Sequence, residues 1–192
     1  MFRRLKDKVI IVTGGAGLIG QHIVDKCLQD GAIVIDVDIN NKTNWEAGKY
    51  GCDLTDKDSI IKLVEEVFKK YGKIDGLVNN AYPRTFDWGA KFEDISYESW
   101  QKNIDMQLNC VFLLTQHVLV HMKQEKQGSI VNIGSIYGVV GNDFTIYEDY
   151  GGTSPAAYSA IKGGLINFTR YLSSYFGKYN IRVNCVSPGG NN

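Results

Sequence analysis

A tyrosine and a lysine stand four residues apart in the last quarter of the chain, at Tyr158 and Lys162. They fall in a stretch with helical periodicity, so this spacing puts both side chains on one face of a helix. A free tyrosine has a pKa of about 10 and is a poor base at neutral pH, but a neighbouring ammonium favours the phenolate form. The pair could therefore exchange a proton with a hydroxyl or carbonyl group of a substrate.

A serine could assist the same chemistry. Ser135 comes just after a predicted strand, where its hydroxyl could hydrogen-bond the reacting oxygen and stabilise its developing charge. The Tyr-x-x-x-Lys pattern is weak by itself, because about one chance match is expected in a chain with 11 tyrosines. The alternatives are a tyrosine on an amphipathic surface and a serine in a turn at the end of a strand.

A glycine-rich segment follows the first predicted strand and precedes a predicted helix. Residues 13–20 read TGGAGLIG. Glycines let the backbone approach a pyrophosphate, and the helix N-terminus offers aligned N–H groups for its charge. The segment predicts a dinucleotide-binding loop, with a plain turn between strand and helix as the alternative. The expected contacts are Gly14, Gly17, Leu18, Ile19 and Gly20.

An acidic residue follows the second predicted strand, 18 residues after Gly20. This residue, Asp38, could accept hydrogen bonds from the ribose hydroxyls of adenosine and would repel a 2′-phosphate. The cofactor predicted by this feature is NAD, not NADP. Asp36 is a competing candidate two residues earlier on the same strand face, and a surface carboxylate is the simpler alternative.

Short apolar runs alternate with amphipathic stretches along the chain. Strands are predicted at 9–13, 32–37, around 77–78, 130–133 and 182–186, and helices at about 19–28, 55–70, 96–122 and 156–174. Thr55 and Asp58 resemble a capping box at the start of the second helix. This alternation predicts an α/β fold, with a doubly wound parallel sheet of the Rossmann type in three α/β/α layers. We expect one domain over residues 1–192.

Composition restricts the partners. The 21 Lys and Arg residues balance the 21 Asp and Glu residues, which gives no reason to expect nucleic acid or an anionic membrane. The chain lacks an apolar run of the roughly 18 residues that a membrane span needs, and its start does not resemble a signal peptide. Four isolated cysteines favour reduced thiols in a cytoplasmic protein, and no metal site is expected.

Several short motifs occur in a fixed order. They are TGGAGLIG, Asp38, Cys52-Asp53-Leu54, Asn79-Asn80-Ala81, Gly134-Ser135, Tyr158-x-x-x-Lys162 and Ser187-Pro188-Gly189. Over its whole length the chain resembles the short-chain dehydrogenase/reductase family. The resemblance implies an NAD(H)-dependent oxidoreductase that acts on a secondary alcohol or ketone, with hydride moving to or from the nicotinamide. It also implies a homodimer or homotetramer.

The resemblance assigns further contacts to individual residues. Lys162 would bind the nicotinamide ribose as well as assist Tyr158. The adenine would be contacted by Asp53 and Leu54. The adenine ribose would lie beside Asn79, Asn80 and Ala81, and the nicotinamide beside Pro188 and Gly189.

Four features depart from the family pattern. Leu18 replaces the usual middle glycine, and the resulting GxxGxxG spacing is typical of the extended, sugar-nucleotide-modifying branch. Gln107, seven residues after Trp100, replaces an asparagine that in the family holds a proton-relay water. Ser135 and Tyr158 are 23 positions apart, roughly ten more than in the family. The chain stops at Asn192, where family members generally continue, so a C-terminal part is expected to be missing.

The substrate is predicted from the segments expected around the active site. Residues 139–157 account for the longer spacing between Ser135 and Tyr158 and are expected to form an insertion over the active site. In this insertion Tyr147 and Tyr150 could stack on a sugar ring. Arg84 could clamp a carboxylate or phosphate. The equally open alternatives are a plain folded surface loop for residues 139–157 and a solvated arginine for Arg84.

The runs NNAYPR and GSIYGVV resemble those of dehydrogenases of flagellin modification, which belong to pathways of sialic-acid-like sugars. A sugar-acid dehydrogenase of the gluconate type is a close second interpretation. Two other functions stay open at this point. One is a sugar-nucleotide epimerase or dehydratase with tightly bound NAD, and the other is a non-catalytic NAD sensor.

Overall fold

Runs of valine and isoleucine form the centre of the molecule. The computed structural model describes residues 4–150 and 153–189, with only the backbone described for 148–150. It contains one parallel six-stranded sheet in the order β3-β2-β1-β4-β5-β6. The strands are β1 (Val9–Thr13), β2 (Ile33–Asp38), β3 (Lys49–Gly51), β4 (Gly76–Asn79), β5 (Gly128–Ile133) and β6 (Ile181–Val186).

The helices lie on both faces of this sheet. They are α1 (Leu18–Gln29), α2 (Lys57–Tyr71), α3 (Tyr97–Ile104), α4 (Cys110–Glu125) and α5 (Ala156–Phe176). The alternate residues of β1 separate two cores: Val9 and Ile11 pack with α2, α4 and α5, whereas Ile10 and Val12 pack with α1. The doubly wound, three-layer α/β/α fold predicted from the sequence is thereby confirmed.

The strand order reverses between β1 and β4, which are neighbours in the sheet but not in the sequence. Ile11 pairs with Ile35 of β2 on one side and with Leu77 of β4 on the other. Chains leave these strands in opposite directions, which opens a crevice at their carboxyl ends. This crevice is where parallel α/β sheets bind ligands.

Three local predictions need correction. The short strand β3 was not predicted, because Tyr50 is the one apolar residue of its three-residue run. The cap of α2 is Asp56 instead of the predicted Thr55, since the Asp56 carboxylate accepts hydrogen bonds from the backbone N–H groups of Asp58 and Ser59 at 3.3 and 3.1 Å. The long helix predicted after Ser96 is divided by a π-helical turn at Asp105–Asn109.

Within residues 4–150 and 153–189, no helix is both long enough and apolar enough to cross a lipid bilayer.

A histidine packs between two of the helices. The His121 ring of α4 stacks on the Phe68 ring of α2 with centroids 3.9 Å apart. Its Nδ1 atom is buried and has no hydrogen-bond partner among the described residues. Burial, together with the nearby His117, lowers the pKa of His121 below its usual value.

This lowered pKa predicts a loss of stability in mild acid. An unfolded histidine binds its proton at a pKa of about 6.5, so below that pH the unfolded chain binds more protons than the folded one. We expect the midpoint of thermal unfolding to fall between about pH 6.5 and 5, and His121→Leu to reduce that dependence. His22→Leu, at an exposed position of α1, is the control that should keep the wild-type dependence. An equal pH dependence in His121→Leu and wild type would contradict the prediction.

Candidate active site

A cavity of about 740 Å³ opens at the carboxyl ends of the strands. Most of the residues predicted to bind cofactor line it: Gly14, Gly17, Leu18, Ile19, Gly20, Asp38, Asp53, Leu54, Asn80, Ala81, Pro188 and Gly189. Ser135, Tyr158, Lys162 and Arg84 line the same cavity. The fold therefore brings the glycine loop and the proposed catalytic side chains to one crevice, although they are separated by more than 100 residues in the sequence.

The glycine loop is tight because its neighbours leave no room for side chains. Gly14 has a φ of +66°, and a Cβ there would lie 2.8 Å from the Cα of Ala81. A Cβ at Gly20 would overlap the carbonyl oxygen of Gly14. Glycine at these two positions lets α1 begin directly against the end of β1, with its N-terminus at the cavity.

The first turn of α1 has unpaired donors facing this cavity. Its N-cap residue is Gly17, so no side chain caps the helix, and the first turn carries no acidic residue. The α2 helix, by contrast, is capped by Asp56. Free N–H groups at a helix N-terminus bind anions such as phosphate. The glycine cradle and these uncapped groups therefore fit the pyrophosphate of a dinucleotide.

Asn80 shapes the loop as well as lining the cavity. Its side-chain amide donates hydrogen bonds to the backbone oxygens of Thr13 and Gly14, at 3.0 and 3.1 Å. The backbone N–H groups of Asn80 and Ala81 both donate to the Thr13 hydroxyl, at 3.0 and 3.1 Å. The ends of β1 and β4 are thereby tied together at the glycine loop.

The two candidate aspartates face different surroundings. Asp38 lines the cavity, where its carboxylate accepts hydrogen bonds from both Asn40 donors at 3.0 Å. Asp36 is buried and lines a separate groove on the other side of the glycine loop, with its carboxylate bonded to Asn41. Burial raises the pKa of Asp36. Both side chains lie against the glycine-loop side of the sheet, as the strand alternation predicted, but Asp38 alone of the two lines the cavity.

Lys162 is the most buried charged group of the cavity. It lies on α5, four residues after Tyr158, and is 7% exposed. Its ammonium donates a hydrogen bond to the carbonyl oxygen of Ile133 at 2.6 Å, where β5 ends. Burial lowers the pKa of Lys162 to about 8, against a smaller opposing effect of Cys185. At neutral pH the side chain is therefore mainly an ammonium.

Ser135 is placed beside Lys162 by the same strand. It follows β5 by two residues, and its oxygen accepts a hydrogen bond from the backbone N–H of Tyr137 at 3.2 Å. No acceptor for the Ser135 hydroxyl proton exists among the described residues. That proton is therefore available for an oxygen atom in the cavity.

A chain of buried polar groups fixes α4 and α5 against the sheet. The Asn79 amide donates to the Thr115 hydroxyl of α4 at 3.2 Å and to Asn132 of β5 at 2.8 Å. The Asn132 amide donates to the Thr169 hydroxyl of α5 at 2.9 Å. Asn79 thus lies in this chain and not on the cavity wall, which corrects its expected place beside the adenine ribose. No periodicity in the sequence marks such a network, because its members come from four separate elements.

Gln107 lies in the π-helical turn and not on the cavity wall. Its side chain is 3% exposed, and neither its carboxamide oxygen nor its nitrogen has a partner among the described residues. A buried, unpaired amide is rare in folded proteins, and π-helical turns often occur at functional sites. Among the buried side chains of the described residues, Gln107 is the one with both a donor and an acceptor atom left without a hydrogen-bond partner.

The predicted substrate residues are only partly brought together. Arg84 is exposed on the cavity wall, with its guanidinium 5.5 Å from the Tyr82 ring centroid. Tyr147 is half-buried on the 3₁₀ segment Phe144–Tyr150 and does not line the cavity. The side chain of Tyr150 lies outside the described residues.

Two aromatic residues of the site were not predicted. Tyr82 lines the cavity, and its ring meets the rings of Tyr158 and Trp88 edge to face, with centroids 5.7 and 5.6 Å apart. Tyr82 is 39% exposed in the open cavity. The burial of the rest of its side chain raises the pKa of Tyr82 to about 12, with Tyr158 adding to the increase, so Tyr82 stays a neutral phenol. Its position directly after Asn79-Asn80-Ala81 is the one sequence signal that could have indicated it.

Comparison with known proteins defines the class of the molecule. The family model described as short chain dehydrogenase matches residues 8–192. The post-translational flagellin modification protein A of Campylobacter coli is 34% identical over 97% of this chain and 78% of its own. The chain therefore belongs to the short-chain dehydrogenase family, as the order of its motifs predicted.

Two solved structures share the fold. A short-chain dehydrogenase from Leptospira borgpetersenii with bound NAD+ superposes with a TM-score of 0.86 at 34% identity, over 98% of this chain and 73% of the other. An NAD+-bound xylitol dehydrogenase gives a TM-score of 0.83 at 29% identity, with the same coverage. Both likenesses extend over nearly all of the present chain.

The buried polar chain yields a prediction about stability. Asn132→Leu keeps the side-chain size but leaves one Asn79 donor hydrogen buried without its acceptor. We expect the free energy of unfolding, measured in urea, to fall by about 1–3 kcal/mol. Asn184→Leu, at an exposed position of β6, is the matched control and should change stability much less. Equal losses in the two variants would show that the network contributes nothing specific.

Proposed function

We propose that this protein interconverts a secondary alcohol and a ketone of a sugar derivative, with Tyr158 as the general acid and base. The observation that carries the proposal is that Tyr158, Lys162 and Ser135 line the same cavity as the glycine loop and the uncapped N-terminus of α1. The protein is an NAD-dependent oxidoreductase, as its family and its NAD+-bound structural neighbour indicate.

The residues divide the work of the reaction. In the oxidative direction the Tyr158 phenolate accepts the proton of the substrate hydroxyl. The oxygen of that substrate hydroxyl then becomes the carbonyl oxygen of the ketone. The Ser135 hydroxyl donates a hydrogen bond to that oxygen and limits its movement. When bound, NAD+ supplies the acceptor for the hydride that leaves the carbon. Reduction is the reverse, with Tyr158 returning the proton.

Lys162 supports Tyr158 electrostatically. Its ammonium lies 5.6 Å from the centroid of the Tyr158 ring, which puts a positive charge beside the residue that exchanges the proton. Because the Ile133 carbonyl holds the ammonium, its direction is fixed by β5. We propose that Gln107 completes the proton path, since it offers a buried amide that has both a donor and an acceptor free.

The cofactor contacts follow the wall of the cavity. We propose that Asp38 binds the adenosine ribose, that Asp53, Leu54, Asn80 and Ala81 surround the adenine end, and that Pro188 and Gly189 contact the nicotinamide. All of these residues line the crevice that begins at the glycine loop.

A sugar-like substrate is supported by two observations. Arg84 places a cation at the cavity wall, where a carboxylate or phosphate could bind. One structural neighbour is named for xylitol, a polyol. We propose that residues 139–157, with Tyr147, contact parts of the substrate that extend beyond the cavity.

We also propose that the chain forms a homodimer or homotetramer through α4 and α5. These helices expose large aromatic side chains, with Phe112, Tyr171 and Tyr175 each about half exposed. Aromatic residues at such positions are typical of protein interfaces.

The catalytic proposal is tested with a substrate panel. The protein is incubated with NAD+ and polyols, sugar acids or nucleotide sugars, or with NADH and the matching ketones, and NADH is followed by its absorbance. We expect turnover of at least one member and a loss of at least about 100-fold in Tyr158→Phe, because general acid–base catalysis is removed. Tyr97→Phe, at an exposed position at the start of α3, is the matched control.

Two results would contradict this proposal. If no member of the panel changes the absorbance, the sugar class is wrong. If Tyr158→Phe turns over substrate at the wild-type rate, Tyr158 is not the acid–base residue.

The cofactor proposal is tested by binding. Asp38→Asn should weaken NAD+ binding by about tenfold or more, because hydrogen bonds to a carboxylate are lost. The same substitution should reduce the preference of the protein for NAD+ over NADP+, because the charge that repels a 2′-phosphate is removed. Asp36→Asn is the matched control, since Asp36 lies outside the cavity. Calorimetry with each cofactor measures both effects. A stronger loss in Asp36→Asn than in Asp38→Asn would reverse the assignment.

A further inference from the structure

Two tyrosine rings share one buried ammonium. The Nζ atom of Lys162 lies 5.5 Å from the centroid of the Tyr82 ring and 5.6 Å from that of Tyr158. Both distances are within the range of a cation–π contact. Tyr158 belongs to the same helix as the lysine, whereas Tyr82 reaches it from the loop that follows β4.

The ammonium has few other partners. Its one hydrogen bond goes to the Ile133 carbonyl oxygen, and no carboxylate of the described residues lies within 4.0 Å of it. The titratable groups that face it are Tyr82, Tyr158 and the Cys185 thiol of β6. A buried cation without a counterion is costly unless other polar or polarisable groups compensate the loss of water.

Tyr82 is well held for such a task. Its ring lies edge to face against Tyr158, at an interplanar angle of 79°, and against Trp88, at 85°. Trp88 itself meets Tyr158 at 90°, so the three rings form one cluster beside the ammonium. Arg84 lies 5.5 Å from the Tyr82 ring and is the other cation that this ring contacts.

We propose that Tyr82 is a positioning residue, whose ring holds the Lys162 ammonium in place and keeps it charged next to Tyr158. The proposal rests on the acid–base role of Tyr158 and Lys162 given above, and adds a third side chain to that pair. Tyr82 takes no proton in the reaction. It acts through Lys162, because a π face stabilises the charged form of the lysine where water is largely excluded.

The role belongs to the ring and not to its hydroxyl. Phenylalanine at position 82 would keep a π face and the contact with Trp88, whereas leucine would fill much of the space without a π face. Alanine is less informative, since it would admit water, which favours the ammonium, while removing the ring. Tyr82→Leu and Tyr82→Phe therefore form the matched pair that separates the two contributions.

The test measures the titration of Lys162 directly and needs no substrate. Protein labelled with carbon-13 at the lysine ε-carbon is titrated by NMR, without and with NAD+, and the Lys162 signal is identified by its loss in Lys162→Met. We expect the midpoint in Tyr82→Leu to fall by roughly half to one pH unit, because the charged form loses a cation–π contact. Tyr82→Phe should keep the wild-type midpoint. Phe86→Leu should keep it too, since Phe86 is a fully exposed aromatic residue of the same loop.

Three outcomes would overturn the proposal. They are an unchanged midpoint in Tyr82→Leu, an equal fall in Tyr82→Phe, and an equal fall in Phe86→Leu. Binding of NAD+ reports whether each variant is folded, and Tyr82→Met replaces Tyr82→Leu if the latter does not fold. A failure of the substrate panel leaves this titration interpretable, so the positioning role and the proposed reaction can fail separately.

Discussion

The burial of the Lys162 ammonium is the constraint on which the rest of the site depends. A desolvated cation must be compensated, and here the compensation comes from the Ile133 carbonyl oxygen and two tyrosine rings. Each of these groups lies on a different part of the fold. The end of β5, the start of α5 and the loop after β4 therefore have to meet at one point, and the sheet order brings them there.

The cofactor end depends on a different principle, which is the absence of side chains. The glycine loop lets α1 begin without a cap, and Asn80 and Thr13 hold that loop against β4. The space in front of the helix stays open while its backbone is rigid. One end of the crevice thus offers backbone N–H groups to an anion, and the other offers a phenol, a hydroxyl and an ammonium.

The sequence predicted the elements that have strong periodicity and the motifs that stand at their ends. The Val and Ile runs defined five strands because fully buried parallel strands are nearly continuous in apolar residues. It did not predict β3, whose three residues carry one apolar side chain, or the π-helical turn, which changes the hydrogen-bond pattern without changing the composition. Local alternation put Asp36 and Asp38 on one strand face, but it does not show that they line different grooves.

Candidate site residues could be predicted where they belong to a short sequence motif. They could not be predicted where their role depends only on packing against distant parts of the chain. Ser135, Tyr158 and Lys162 stand in short patterns whose chemistry can be argued from residue type. Asn132 and Trp88, by contrast, acquire their roles from partners more than ten residues away. Contacts of that kind depend on the three-dimensional path of the chain, which no window of sequence contains.

The π-helical turn at Asp105–Asn109 also affects how related chains can be compared. One extra residue in a helical turn rotates everything after it by about 100° around the axis. A helical wheel drawn straight through residues 97–125 would therefore assign the wrong inward face to one half of the segment. A relative that lacks the extra residue would align here with a one-residue gap, and side chains matched on either side of that gap would point in different directions.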